Sequence, residues 1–309
     1  MSSFKNYLSL IKFSHTIFAM PFALIGFFLG ISHFHQSDSL PLNLLEKQSF
    51  IAKADSFLMQ KWWLLLLILL CMVFARSAAM AFNRWLDARF DIKNERTAIR
   101  EIPAGIISPN HALAFTICCA LLFVLTTYFI NAICFYLSPV ALVVILGYSY
   151  TKRFTSLCHL VLGIGLGLAP IGAYLAVTDT FNLLPILFSF AVLFWVSGFD
   201  VIYALQDEKF DKSESLHSIP VMVGTVWALR ISSALHFLSS ATIIMAGIIG
   251  GFGETYWIGV AVFIGLLIYQ HLIVKPTDLR KVNMAFFITN GIASVVFAFF
   301  VMLDFYLHS

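Results

Sequence analysis

Charge is the scarcest property of this chain. Asp, Glu, Lys and Arg make up 11% of its 309 residues, against 60% hydrophobic residues and a mean hydropathy of +0.91. A soluble globular domain carries roughly 25% charged residues, so the shortfall excludes a water-soluble enzyme and leaves an integral membrane protein. Cysteine is also sparse: Cys71, Cys118, Cys119, Cys134 and Cys158 all lie in apolar segments without metal-ligand spacing, and read as small hydrophobes. No low-complexity tract or linker divides the chain, which reads as one domain over residues 1–309. Gly163, Gly165 and Gly167 have no strand before them, which excludes a dinucleotide fingerprint and points to close helix packing.

Where charge is missing, long apolar runs take its place. A helix crosses a bilayer with about 20 residues, and nine segments qualify: about 15–35, 62–83, 111–130, 132–150, 157–177, 182–203, 221–249, 255–274 and 283–307. The expected fold is therefore an all-α integral membrane protein. The first run lacks a small-residue cleavage site and reads as a helix, not a signal peptide. With the N-terminus in the cytoplasm, only Lys47, Lys53 and Lys61 of the 19 lysines and arginines fall outside. The positive-inside rule then fixes that orientation and leaves the C-terminus outside.

The remaining charge is arranged. "NRWLDARFD" places Asn83, Asp87 and Asp91 four residues apart at the inner end of the second segment, on one helical face. A second row, Asp200, Asp207 and Asp211 with Tyr203 beside it, has spacings of seven and four and is expected on one stripe of the sixth segment. A similar ending of the fourth and eighth segments suggests a four-helix pseudo-repeat, 1–155 and 156–280, plus a ninth helix. Carboxylates at a membrane boundary are costly and usually face the bundle interior. Five of them around one recess would repel without divalent cations between them, and a few hard oxygen ligands suit Mg²⁺. Lys93, Arg96, Arg100, Lys152 and Arg153 stand nearby as a polyanion would require. A diphosphate with a long hydrocarbon fits such a recess among apolar helices.

At these residues the chain resembles the UbiA superfamily of intramembrane prenyltransferases. The resemblance runs through "IKFSHTIFAMPFAL", "RSAAMAFNRWLDARFDIKNERTAIREIPAG", "YSYTKRFTSLCHLVLGIGLGLAP" and "SGFDVIYALQDEKFDKSE". It implies nine transmembrane helices around a central cavity, two Mg²⁺ ions, and transfer of a prenyl group from an isoprenyl diphosphate to an aromatic ring. By position it implies that Asn83, Asp87, Asp91, Asp207 and Asp211 hold Mg²⁺ and that Arg100, Lys152 and Arg153 neutralise the diphosphate. Arg76 matches the position associated with the carboxylate of a hydroxybenzoate acceptor, with Asn83 close by, and Asp200 and Tyr203 line the reacting centre. Two features depart from the pattern: Arg84 stands where many members have Asp, and "LHSIP", with His217, replaces a Lys before a Ser-Thr pair.

The implied reaction is electrophilic aromatic substitution feeding ubiquinone or menaquinone synthesis at a bacterial inner membrane, with the site open to the cytoplasm. Both 4-hydroxybenzoate and dihydroxynaphthoate fit as acceptor. No nucleic acid and no obligate protein partner are expected. A CDP-alcohol phosphatidyltransferase also uses Mg²⁺ and Asp rows, but its Asp-Gly and Ala-Arg elements are missing. A membrane transporter would place its ionisable groups near the bilayer midplane, not at the inner helix ends.

Overall fold

The computed structural model describes residues 3–11, 19–33 and 50–308. Its helices are α1 (Ser3–Leu10), α2 (Met20–His33), α3 (Phe50–Asp91), α4 (Pro109–Tyr128), α5 (Ala132–Thr151), α6 (Cys158–Thr178), α7 (Leu183–Ala204), α8 (Glu208–Ser213), α9 (Ile219–Gly250), α10 (Glu254–Ile273) and α11 (Val282–Leu307). Among the described residues there is no strand, only an isolated bridge between Lys275 and Asp278. The helix starts are written locally. Ser108, Asn131, Asn182 and Ser218 accept hydrogen bonds from the first turns of α4, α5, α7 and α9, and Pro109 and Pro220 sit where no N–H is required. The start of α10 is capped from a distance, by Asp304 of α11, which accepts from the backbone N–H groups of Gly253 and Tyr256.

Among the described residues eight helices are long and apolar enough to cross a membrane, and each overlaps one of the expected segments. The first expected segment contains α2, apolar but only 14 residues long. That is about 21 Å, short of a hydrocarbon core of about 30 Å. Residues 12–18 and 34–49, which include Lys12 and Lys47, lie outside the described residues. The second expected segment, 62–83, is shorter than the helix that holds it: α3 extends from Phe50 to Asp91, with a break at Lys61 (φ −132°, ψ 29°). Near its start Phe57 packs on Phe27, so the extension belongs to the core. α9 kinks at Gly224, whose φ of 76° suits a residue without Cβ.

The spine of the bundle is α7, which lies against α6 on one side and α9 on the other. Its Trp195 is fully buried among Phe22, Phe199 and Phe263. Trp195 donates to Asn290 Oδ1 at 2.9 Å, and Gln270 donates to the same oxygen at 2.6 Å, tying α7, α10 and α11 together through polar groups inside the bundle. Glycine permits the closest approach between α6 and α7. A Cβ on Gly163 would lie 2.3 Å from Ser197 Oγ and 2.5 Å from the Leu193 carbonyl oxygen. Gly167 faces the Ser189 carbonyl in the same way, whereas Gly165 turns toward Ile145 with ordinary spacing. Five free cysteines are scattered through the helices, none bonded to another.

Candidate active site

α3, α5, α7 and α8 deliver both acidic rows to one end of the bundle, together with the 92–108 loop. The first row keeps its helical register: Asn83 donates to Asp87 Oδ2 at 3.1 Å, one turn along α3, and lies 3.4 Å from Ser149 Oγ on α5. The loop after α3 is folded by its own side chains. Thr97 Oγ1 donates to the Asp91 carbonyl, Asn94 Oδ1 accepts the Arg96 N–H, and Gly105 takes a φ of 73° at the turn after Pro103. The loop thereby returns Arg96 and Arg100 to the carboxylates.

The helix that carries the second row is interrupted. α7 ends at Ala204, a tight 3₁₀ turn spans Leu205–Asp207, and α8 begins at Glu208. Three residues per turn in place of 3.6 rotates Asp207 and Asp211 relative to Asp200 by roughly 60°. Asp200 instead meets His159 Nδ1 of α6 at 2.7 Å.

Each of the other carboxylates is held by one base. Asp87 pairs with Arg153 at 2.9 Å, Asp91 with Arg100 at 2.7 Å, and Asp211 with Lys152 at 2.7 Å. Arg96 grips both oxygens of Asp207, and its remaining nitrogen donates to Tyr203 Oη at 2.9 Å. Asn94 adds a donor to Asp207 at 3.2 Å. Arg153 also donates to the carbonyls of Ser149 and Leu86, fixing α5 to α3. Four anions and four cations leave the cluster near neutrality. Burial works against the Lys152 ammonium, but Asp211 foremost, with Asp207 and Asp87, outweighs it and holds its pKa above the usual lysine value. Arg96 is likewise opposed by burial and raised by Tyr203 and Asp207.

Among the described residues no group of three or more His, Cys, Asp or Glu is gathered for a metal. Arg and Lys stand between the carboxylates instead. The donor set nevertheless fits a hard divalent cation, because it consists of oxygens, and Asp91 Oδ2 and Asp211 Oδ2 are buried without a hydrogen-bond partner.

Behind this polar end lies a cavity of about 420 Å³ between α3, α4, α5 and α6, with Ala19 at its edge. Its walls are almost wholly apolar, including Ile68, Met72, Phe123, Val144 and Leu166. Thr127 and Ser138 are polar exceptions toward the far end, and Arg76 and Tyr148 face the cavity at the other. Arg76 Nε is buried with no hydrogen-bond partner, and Tyr148 lies within electrostatic reach of Arg76, Asp87 and Asp200. Arg84 points elsewhere: it is buried, does not line the cavity, and its Nε and Nη1 have no partner. His217 is exposed, and contributes its backbone, whose N–H donates to the Lys152 carbonyl at 2.7 Å.

His159 is the site residue that sequence reasoning misses. It stands inside "YSYTKRFTSLCHLVLGIGLGLAP", and its only local signal is a polar ring in an apolar helix. Arg96 reads in the sequence as one base among several, and the structure makes it the partner of Asp207 and Tyr203 together.

An all-helical membrane bundle with paired acidic rows above an apolar cavity defines a class of lipid-handling enzyme. The UbiA prenyltransferase family matches residues 53–292, and the chain belongs to that family; it is a transferase of the membrane. The 4-hydroxybenzoate octaprenyltransferase of Cupriavidus necator is 32% identical over 225 residues, covering 72% of this chain and 78% of that protein. Among solved structures, a UbiA homologue from Aeropyrum pernix K1 superposes with a TM-score of 0.77 at 28% identity, over 94% of this chain and 98% of that one. A homologue from Archaeoglobus fulgidus, bound to GPP and Mg²⁺, shares the fold with a TM-score of 0.66 at 20% identity, over 97% and 99% of the two chains.

Proposed function

We propose that this chain transfers a polyprenyl group from an isoprenyl diphosphate to a carboxylated aromatic acceptor, 4-hydroxybenzoate or dihydroxynaphthoate, on the way to a quinone. The observation that carries the reading is the junction of two unlike environments. Four carboxylate–base pairs occupy the polar end, and an apolar cavity of about 420 Å³ with Arg76 at one end lies behind them. Relatives named as 4-hydroxybenzoate octaprenyltransferases support the first of these acceptors, and a neighbour bound to GPP and Mg²⁺ supports an isoprenyl diphosphate donor.

In this reading Asn83, Asp87, Asp91, Asp207 and Asp211 hold Mg²⁺. The bound ions supply charge stabilisation for the leaving diphosphate. Arg96, Arg100, Arg153 and Lys152 exchange their carboxylates for the diphosphate, so the bases that balance the resting site clamp the substrate. Ionisation of the allylic C–O bond sends its electron pair to the diphosphate. The apolar walls keep water from the resulting cation, and the prenyl chain lies along the cavity. Arg76 binds the acceptor carboxylate, and Asp200 with Tyr203 faces the reacting ring. The concentration of basic residues at this end supports a cytoplasmic opening and nine spans with the N-terminus inside, in a bacterial inner membrane.

The test is turnover in membranes. Labelled polyprenyl diphosphate is supplied with each candidate acceptor, with Mg²⁺ present and then chelated. Label should enter a lipid-soluble product with at least one carboxylated acceptor and only with the metal. Equal incorporation after chelation, or none with any carboxylated acceptor, would overturn the proposal.

A further inference from the structure

His159 lies in the first turn of α6, is 3% exposed, and is held at both ring nitrogens. Nδ1 is 2.7 Å from Asp200 Oδ2. Nε2 is 3.3 Å from the backbone nitrogen of Ile219, whose N–H donates to it. That second contact decides where the ring proton resides. A backbone N–H only donates, so Nε2 presents its lone pair, and the hydrogen sits on Nδ1, directed at the carboxylate.

The donor is available because Ile219 opens α9, where the first N–H groups lack partners within the helix. The first turn is fully accounted for: Ile219 donates to His159, Pro220 has no N–H, and Val221 donates to Ser218 Oγ. The backbone beneath the ring packs closely on α7, where Ser197 Oγ lies 3.1 Å from the His159 carbonyl and 2.7 Å from that of Leu193. Three helices thus lock one neutral tautomer against Asp200. The ring occupies Asp200 Oδ2, whereas Oδ1 accepts no hydrogen bond among the described residues. Asp200 also lies within electrostatic reach of Tyr148, which lines the Arg76 end of the cavity.

We propose that His159 is a positioning residue for ring deprotonation: as a neutral Nδ1–H donor it fixes Asp200 so that Oδ1 takes the proton from the prenylated ring. This rests on the reading of Asp200 given above. In the step, the ring C–H bond breaks, its electron pair restores the aromatic ring, and the proton passes to Asp200 Oδ1, giving a neutral carboxylic acid. His159 keeps its own proton throughout. The Asp200 proton leaves to solvent when the products depart.

Gln separates this role from proton relay by the imidazole, since its amide can donate to Asp200 and accept from Ile219 without titrating. The full-length protein in membranes is assayed with a polyprenyl diphosphate and the acceptor it turns over, either protiated or deuterated on the ring. His159→Gln should stay close to the wild-type kcat. His159→Leu should lower kcat by about tenfold to hundredfold, a part of the 10²–10⁴ typical of general-base catalysis. It should leave the KM for the prenyl diphosphate unchanged and make the deuterated acceptor measurably slower than in the wild type. If His159→Leu does not accumulate, His159→Asn, too short to bridge both partners, should give the same isotope response. The inference is overturned if Gln is as impaired as Leu, or if neither Leu nor Asn alters kcat and the isotope ratio. Impaired Asp200→Asn beside a normal His159→Leu removes only the positioning role. A normal Asp200→Asn removes the parent reading of Asp200.

Discussion

Lys152 Nζ stands 2.7 Å from Asp211 Oδ1, joining the end of α5 to a wholly buried carboxylate on α8. A buried charge that loses its partner is far more damaging than an ion pair that was never built. Lys152→Ala should lower stability in detergent by about 3 kcal/mol, the lower end of the range for a broken buried pair because Lys152 is partly exposed. Lys152→Ala with Asp211→Asn should recover most of that loss. Thermal unfolding of the single and double variants measures both. Because the Lys152 pKa is raised on folding, its contribution is fully present below the ordinary lysine pKa of about 10.4 and is lost as pH rises through the higher folded value. Wild-type stability attributable to this pair should therefore persist through neutral pH and fade only in strong alkali.

The two rows should fail together. Asp87→Asn and Asp207→Asn each remove one anionic oxygen ligand from a different row, while Arg153 and Arg96 keep an amide acceptor. Both variants should remain folded in the membrane and lose nearly all turnover with Mg²⁺ present. Near-normal rates in both would sink the two-row metal site.

Arg76 tests acceptor recognition. Its buried, unpartnered Nε at the cavity end is suited to an anion, and a planar guanidinium is replaced poorly by Lys. Arg76→Ala should raise the KM for the carboxylated acceptor strongly, by about 2–5 kcal/mol for truncation of a buried charge pair. The KM for the prenyl diphosphate should hardly change. Steady-state kinetics with each substrate varied in turn decides the matter, and a loss confined to diphosphate use would assign Arg76 to the leaving-group clamp.

Gly163→Ala should weaken the α6–α7 contact. The new methyl would meet Ser197 Oγ and the Leu193 carbonyl oxygen well inside contact distance. Overpacking of this kind costs about 1–3 kcal/mol. Since His159 lies one turn before Gly163 on the same helix and Asp200 on the facing one, kcat should fall along with the midpoint of thermal unfolding. Unchanged stability would mean the helices separate without resistance.

Orientation is open to chemical labelling. In a cysteine-free background, Glu95→Cys and Ser213→Cys, both exposed at the basic end, should react with an impermeant thiol reagent from the cytoplasmic side alone. Gln60→Cys, exposed beside the break in α3, should react from the opposite side. Labelling of Glu95→Cys from outside would reverse the topology.

Hydropathy and helical periodicity are local properties, and the sequence determined by itself what depends on them. It set the apolar spans, the register of Asn83, Asp87 and Asp91, and the family motifs that carry the resemblance. Helix caps such as Asn131 and Ser218 were equally local. Only the tertiary structure decided which base holds which carboxylate, because Arg153 and Asp87 are 66 residues apart and meet only when α5 packs on α3. The 3₁₀ turn at Leu205–Asp207 was also hidden. Leu205 and Gln206 favour an ordinary helix, and the turn lies where Asp207 is drawn to Arg96 in a loop over a hundred residues earlier. His159 and Asp200 form the sharpest case, a pairing across 41 residues of chain whose tautomer is set by a third helix, through an N–H that is free only because α9 begins there.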